Sequence, residues 1–312
     1  MPITPVTTLS SIRPSAERLR ALLAPGAPGV VPFIGVYDVF SATLAARRHD
    51  TLFVSGFGFA ASHYGLPDVG FVTWTDIVGF VQRLRAALPA ARLLVDIDDG
   101  YVDPDVAVHA AVSLERLGAW GVVLEDQERP RRCGHVGGKR VLPVDDYTAK
   151  LRCVLGARRD LVVVARTDAT DPAEALDRVE AYAAAGADAV LIDGVRDLAL
   201  VGEARRRAGV PVVFNQIAGG ASPRCSLDDL AAAGASVAIY STPCLFAAQT
   251  AIEAALDALD AARGLLPAAP AVGVADCIAV VAENLAAGTL AAENLVAGDR
   301  ALALPVPEAR AA

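Results

Sequence analysis

The chain reads as a (β/α)8 TIM barrel with a C-terminal helical extension, and three observations predict this. Short β-branched runs alternate with helix-period segments eight times in roughly 250 residues, as that barrel requires. The predicted strands end in acids and other polar residues, which a barrel gathers at one mouth. Two strand-to-helix connections are longer than simple turns and read as functional loops. A doubly wound open sheet is the alternative, but no glycine-rich dinucleotide turn follows the first strand.

Strands are predicted near Val30–Val36, Leu52–Val54, Leu93–Ile97, Gly121–Leu124, Leu161–Ala165, Ala189–Ile192, Val212–Phe214 and Val237–Tyr240. Their near-continuous Val, Leu and Ile content suits parallel strands buried on both faces. Segments such as AEALDRVEAYAAAG and LALVGEARRRAG carry helix-period apolar positions and end in glycine. The long connections run from Ser55 through HYGLPDVG to Thr75, and from Asp126 to about Val144. Residues 1–266 are assigned to the barrel. Residues 267–312 comprise a Pro/Ala linker, an amphipathic stretch (VADCIAVVAENLAAG) and a tail, ALPVPEARAA, expected to fray. The apolar stripe of that stretch needs a partner, on its own barrel or on a neighbouring subunit.

A net charge of −8 disfavours nucleic acid and acidic membrane surfaces as partners. No apolar run approaches the roughly 20 residues that span a bilayer, and the N-terminus lacks the apolar core of a signal peptide. Five cysteines, at 133, 153, 225, 244 and 277, have neither an even count nor zinc spacing, which fits a reducing cytoplasm. Cys153 is expected to be a packing residue, and Cys244, after a strand end, is a weaker second candidate to Cys133. His49, His63 and His109 share no ligand spacing.

The strand ends deliver, in order, Tyr37 and Asp38; Ser55 and Gly56; Asp96, Asp98 and Asp99; Glu125 and Asp126; Arg166, Thr167 and Asp168; Asp193; Asn215; and Tyr240, Ser241 and Thr242. Singly, each has a plain structural reading: Asp38 or Asp168 as helix caps, Ser241 as a turn. Strand alternation sends Asp96 and Asp98 to the same side, where they repel unless a divalent cation relieves them. All-oxygen ligation favours Mg²⁺, with Mn²⁺ as the other option. Asp99 is the member of DIDDGY best suited to a turn. Arg166 can hold a substrate carboxylate bidentately or pair with one of the many acids. In ERPRRCGHVGGKR, cationic neighbours are expected to lower the pKa of Cys133 and make it a proton donor or nucleophile. Gly134, Gly137 and Gly138 let this loop close over a substrate and exclude water.

Together, YDVFSA, VSGFGFAASHYGLPDVG, DIDDGY, LEDQERPRRCGH, GKR, ARTDA and Asn215 resemble the isocitrate lyase / phosphoenolpyruvate mutase superfamily. The likeness runs from about Val36 to Tyr240 and is to the methylisocitrate lyase-like branch, which includes 2,3-dimethylmalate lyase and carboxyphosphonoenolpyruvate mutase. It implies Mg²⁺ held by Asp96 and Asp98, with Glu125 reaching the metal directly or through water and Asp68 nearby. It also implies substrate contacts from Tyr37, Ser55, Gly56, Arg166, Asp193 and Asn215. Gly134 and His135 would hold a substrate carboxylate, and Cys133 would be the catalytic acid. The C-terminal helix would be exchanged between subunits of a homotetramer, a dimer of helix-swapped dimers.

The implied activity is carbon–carbon cleavage of a substituted 2-hydroxy di- or tricarboxylate, methylisocitrate- or dimethylmalate-like, to a 2-oxo acid and a carboxylate. Alternatives are a phosphorylmutase, an oxaloacetate-type hydrolase and a non-catalytic carboxylate-binding barrel. The sequence departs from the family pattern at four places. Asp193 stands for the usual Glu, Ser241 for the Pro after Tyr240, and Val102 for a common glycine, while CLFAAQ lacks an arginine expected of a true methylisocitrate lyase.

Overall fold

Eight apolar runs become the strands of one parallel sheet: β1 (Val31–Val36), β2 (Thr51–Val54), β3 (Arg92–Asp96), β4 (Gly121–Glu125), β5 (Val162–Thr167), β6 (Ala189–Ile192), β7 (Val212–Asn215) and β8 (Val237–Tyr240). In the computed structural model, which describes residues 16–23 and 29–301, they close into a barrel in sequence order. Closure is made by β1 against β8, from Val31 opposite Val237 to Ile34 opposite Tyr240. Register brings the polar strand ends level at the mouth, with Glu125 directly opposite Arg166.

The helices are α1 (Ala16–Leu23), α2 (Val39–Ala46), α3 (Gly56–Phe59), α4 (Trp74–Ala87), α5 (Pro104–Arg116), α6 (Val144–Ala157), α7 (Pro172–Ala184), α8 (Ala199–Ala208), α9 (Leu227–Ala233), α10 (Pro243–Ala261) and α11 (Val274–Ala301). Strand alternation divides the core in two. Phe33, Phe53, Leu94, Val123, Val164, Leu191, Val213 and Ile239 fill the barrel interior. Leu52, Val95, Val122, Val163 and Phe214 face the helices, against Phe80, Tyr147 and Tyr182. The first helix stoppers the bottom of the barrel: Leu19 and Leu23 join the interior cluster. Arg20 fixes it there, donating to Asp160 (2.6 Å), Asp188 (3.2 Å) and the Leu161 carbonyl (3.3 Å).

All eight predicted strands are present, and three readings are corrected. The first long connection is not all loop, because residues 56–64 form α3 and a π-helical turn, Ala60–Tyr64. The Ser55 hydroxyl starts that segment by accepting from the Gly58 amide at 3.1 Å. The third strand ends at Asp96, so Asp98 is outside it with φ of 50°. Cys153 is exposed on α6 and does not pack in the core.

The described part of α11 lies against α2 and α4 of its own chain. Val280 is buried there, and Asn284 Nδ2 donates to Thr43 Oγ1 at 2.7 Å. Ile278, Val281 and Leu285 on this helix, and Ile252 and Leu256 on α10, are exposed. The tail after residue 301 is outside the described residues.

Candidate active site

Two buried carboxylates, Asp98 and Glu125, and the partly buried Asp68 surround one buried cation, Arg131, which is 1% exposed. Its Nε donates to Glu125 Oε1 at 2.8 Å, its Nη2 lies 3.2 Å from Asp98 Oδ1, and its Nη1 pairs with Asp68. Sequence reading treated Arg131 only as a basic neighbour of Cys133. A basic doublet does not reveal which member turns inward: Arg131 does, while Arg132 is exposed.

Asp96 and Asp98 do converge, as predicted, but through a turn and not through strand alternation. The left-handed backbone at Asp98 folds the chain back so that its amide donates to Asp96 Oδ1 at 3.2 Å. A Cβ added to Gly56 would sit 3.1 Å from Asp98 Oδ1 and 3.4 Å from Asp96 Oδ2. The glycine therefore leaves open the space that both carboxylates face. Asp98 Oδ1 is buried and accepts no hydrogen bond. Burial raises the pKa of both groups, against the pull of Arg131 and Arg166. Among the described residues, no three His, Cys, Asp or Glu side chains converge tightly enough to cage an ion. Hard oxygen donors, a buried carboxylate oxygen that is ion-paired with Arg131 but accepts no hydrogen bond, and open space beside it nonetheless suit Mg²⁺, which keeps waters and needs only one or two protein carboxylates. Asp99 is a turn residue, accepting from the Tyr101 amide at 3.2 Å, and also pairs bidentately with Arg129 at 2.8 and 2.9 Å.

Arg166 projects from the end of β5 into a ring of acids. It donates to Asp168 at 3.0 and 3.1 Å, and lies 2.8 Å from Asp193 and 3.3 Å from Glu125. Asp168 is held in turn by Lys139 at 3.0 Å. The supporting layer is built on Asp126. Its carboxylate accepts from Thr167 Oγ1 (2.6 Å), the Asp168 amide (2.9 Å), Tyr182 (2.6 Å) and Arg178 (3.3 Å). Burial, with Asp168 adding to it, lifts Asp126 to about 6. Asp126 thus faces the helix layer and does not form a chemical pair with Glu125, which burial lifts to about 7 on the mouth side.

Asp193 accepts from Asn215 Nδ2 at 2.9 Å, and Ser241 Oγ donates to Asn215 Oδ1 at 2.7 Å. Burial opposes ionisation of Asp193, yet Arg166, His135 and Asn215 hold it far below the usual carboxylate range. Tyr37 stands at the β1 edge, and the backbone there leaves room for Gly58 only: a Cβ would lie 2.9 Å from Tyr37 Cβ. Ser55 is occupied in capping α3, and Asp38 caps α2 through a reciprocal box with Ser41. Cys244, half-buried at the start of α10, has its thiol pKa raised by burial and by Asp38. His63 stacks on Phe59 at 3.9 Å and His109 meets Trp74 edge-on, so neither belongs to the site.

The loop after β4 lies across this mouth. Its backbone at Gly134 presses against Asp193, Arg166 and Asp168 so closely that any Cβ would overlap them. Cys133, on the same loop, is half-buried. The expected lowering of its pKa is wrong: burial pushes the thiol up to about 11, with Asp68 and Asp193 adding to the rise and the His135 amide and Arg166 opposing it. Arg131, two residues before the thiol, spends its charge on Asp68, Asp98 and Glu125, and the adjacent Arg132 is exposed. A raised pKa favours the protonated thiol, which suits proton donation better than nucleophilic attack.

One mouth of the eight-stranded barrel thus gathers Asp96, Asp98, Glu125, Arg166 and the loop that carries Cys133. Residues 19–260 match the phosphoenolpyruvate phosphomutase family, and the chain belongs to the phosphoenolpyruvate mutase/isocitrate lyase superfamily. The 2-methylisocitrate lyase of Bacillus subtilis is 34% identical over 255 residues, 80% of this chain and 82% of that one. The crystal structure of a 2,3-dimethylmalate lyase aligns with a TM-score of 0.80 at 28% identity, covering 85% of this chain and 91% of the other. An oxaloacetate acetylhydrolase in complex with the inhibitor 3,3-difluorooxalacetate aligns with a TM-score of 0.81 at 28% identity, covering 91% and 96%.

Proposed function

We propose that this protein is a Mg²⁺-dependent carbon–carbon lyase. It would cleave a substituted 2-hydroxy dicarboxylate or tricarboxylate, methylisocitrate- or dimethylmalate-like, to a 2-oxo acid and a carboxylate. The observation that carries the reading is the half-buried Cys133 thiol, its pKa pushed up by burial, on a loop packed over Arg166 and the acids of the mouth. Methylisocitrate and dimethylmalate lyases among the relatives support the same class.

Asp96 and Asp98 are the residues to hold Mg²⁺ or Mn²⁺, with Glu125 and Asp68 beside them. The ion would supply charge stabilisation for an enolate oxygen. Arg166 orients a substrate carboxylate, taking it in exchange for one of the acids now around it. Asp193, Asn215 and Ser241 form a hydrogen-bonded rail along the β6–β8 side, and Tyr37, Ser55 and Gly56 line the β1–β2 side. The covering loop excludes water at Gly134 and His135. As Glu125 takes the proton of the substrate's 2-hydroxyl and the carbon–carbon bond opens, Cys133 Sγ–H gives its proton to the carbanion that leaves. The small carboxylate is the chain's expected partner, together with further copies of itself through α10 and α11, including exchange of α11. Among the described residues no helix is long and apolar enough to cross a membrane, and a cytoplasmic setting completes the proposal.

The test is a panel of substituted malates, isocitrates and oxaloacetate assayed with Mg²⁺, using lactate dehydrogenase to read the 2-oxo acid. Cys133→Ser is expected to abolish cleavage while retaining oxalate binding by calorimetry. Full turnover by that variant removes Cys133 from the mechanism. Oxalate release from oxaloacetate with no 2-oxo acid from the malates assigns the site to hydrolysis. A new carbon–phosphorus signal in ³¹P NMR from phosphonate substrates assigns it to phosphoryl transfer.

A further inference from the structure

The covering loop is held at its far end by a feature that the lyase reading leaves unused. After β7 the chain runs Gln216-Ile217-Ala218-Gly219-Gly220-Ala221, a tight turn closed by the Gly220 amide on the Ile217 carbonyl at 3.0 Å. The imidazole of His135 lies in this turn, with its side chain 4% exposed. The Ala221 amide donates to its Nδ1 at 3.0 Å. An Nδ1 that accepts is unprotonated, so the neutral ring carries its proton on Nε2. That nitrogen lies 3.4 Å from both Asp193 Oδ1 and Asn215 Nδ2.

Gly220 is what makes room for the ring. A Cβ there would come within 2.5 Å of His135 Nδ1 and 3.1 Å of Cγ. Its neighbour Gly219 is the reverse case: its backbone is left-handed (φ 73°), but a Cβ would meet nothing within 4 Å. One glycine is needed for its dihedral, the other for the space it leaves.

We infer that Gly220 and the Ala221 amide form a catch for the covering loop, gripping His135 and so positioning Cys133 two residues away. Both are positioning residues, and His135 acts here as a latch and not as a proton carrier. The functional consequence rests on the lyase reading; the catch itself does not. Its ligand is a segment of the same chain, and releasing it frees the loop that covers Arg166.

The full-length protein tests this through trypsin nicking between residues 129 and 140, a measure of how often the loop opens. Gly220→Ala is expected to speed nicking about tenfold, as is His135→Ala. The double variant is expected to nick no faster than either single, because each removes the same contact. Gly219→Ala, strained at its dihedral but with open space for the Cβ, is expected to speed loop nicking less than Gly220→Ala. Unaltered nicking in Gly220→Ala, additive effects in the double variant, or an equal response from Gly219→Ala overturns the catch. With cleavage activity in hand, Gly220→Ala is expected to lower kcat more than it changes KM. Altered nicking in a protein without lyase turnover keeps the catch and discards the lyase reading.

Discussion

At the scale of single residues, burial outweighs charge at Cys133, whereas charge outweighs burial at Asp193. Cys133 has arginines beside it in sequence, yet its pKa rises to about 11 because desolvation is the largest influence and Arg131 is committed to Asp68, Asp98 and Glu125. A general acid works only while protonated, so a raised pKa extends its working range upward. The pH profile of kcat/KM is expected to show no loss from thiol ionisation below about pH 10, against a free-thiol value of about 8.5. A basic limb near 8.5 that disappears in Cys133→Ala would contradict the assignment. Val102 is a second residue-scale case. It is β-branched, 59% exposed, and sits at φ 80°. The left-handed conformation costs such a residue about 1–2 kcal/mol, while glycine loses about 0.5–1 kcal/mol in chain entropy. Val102→Gly is therefore expected to stabilise the protein by up to about 1 kcal/mol, read as a higher urea midpoint at unchanged slope.

At the scale of elements, the strands were legible because parallel strands buried on both faces need uninterrupted apolar runs. The segment GFGFAASHY was not, because its glycines weigh against a helix and only the Ser55 cap and the packing of Phe59 offset them. The convergence of Asp96 and Asp98 was legible in outcome but not in cause, since alternation was invoked where a left-handed Asp98 does the bending. The loop after β4 was recognised as the functional one, yet its anchors were not. Arg131 could be identified only once Asp68, from a different loop, was seen beside it. Gly220 left a faint trace in the adjacent glycines of QIAGGAS. Removing the Arg131 charge should leave the acids of the mouth uncompensated. Arg131→Met is expected to destabilise the protein by roughly 3–5 kcal/mol without divalent cation. Millimolar Mg²⁺ is expected to restore part of this, giving the variant a larger Mg²⁺-induced rise in Tm than the parent. Equal rises in both proteins would separate the arginine from the cation site.

At the scale of the whole molecule, apolar surface is distributed unevenly. Ile252 and Leu256 on α10 are 59% and 57% exposed, and Ile278 and Leu285 on α11 are 58% and 76% exposed. Exposed apolar patches of this kind mark association surfaces. Light scattering after gel filtration is expected to find an oligomer, and Ile252→Glu with Leu256→Glu to shift it to the monomer with its circular dichroism unchanged. A monomeric parent would remove the self-association proposal without touching the barrel. The opposite end of the barrel has a different logic. The stopper helix α1 precedes every strand, but Arg20 reaches Asp160 and Asp188 across 140 and 168 residues of chain. Its docking site does not exist until the chain entering β5 and β6 is in place, so this helix is made early and assembles late. Order of synthesis and order of assembly run in opposite directions at that end, and the first helix of the barrel is the one that certifies its completion.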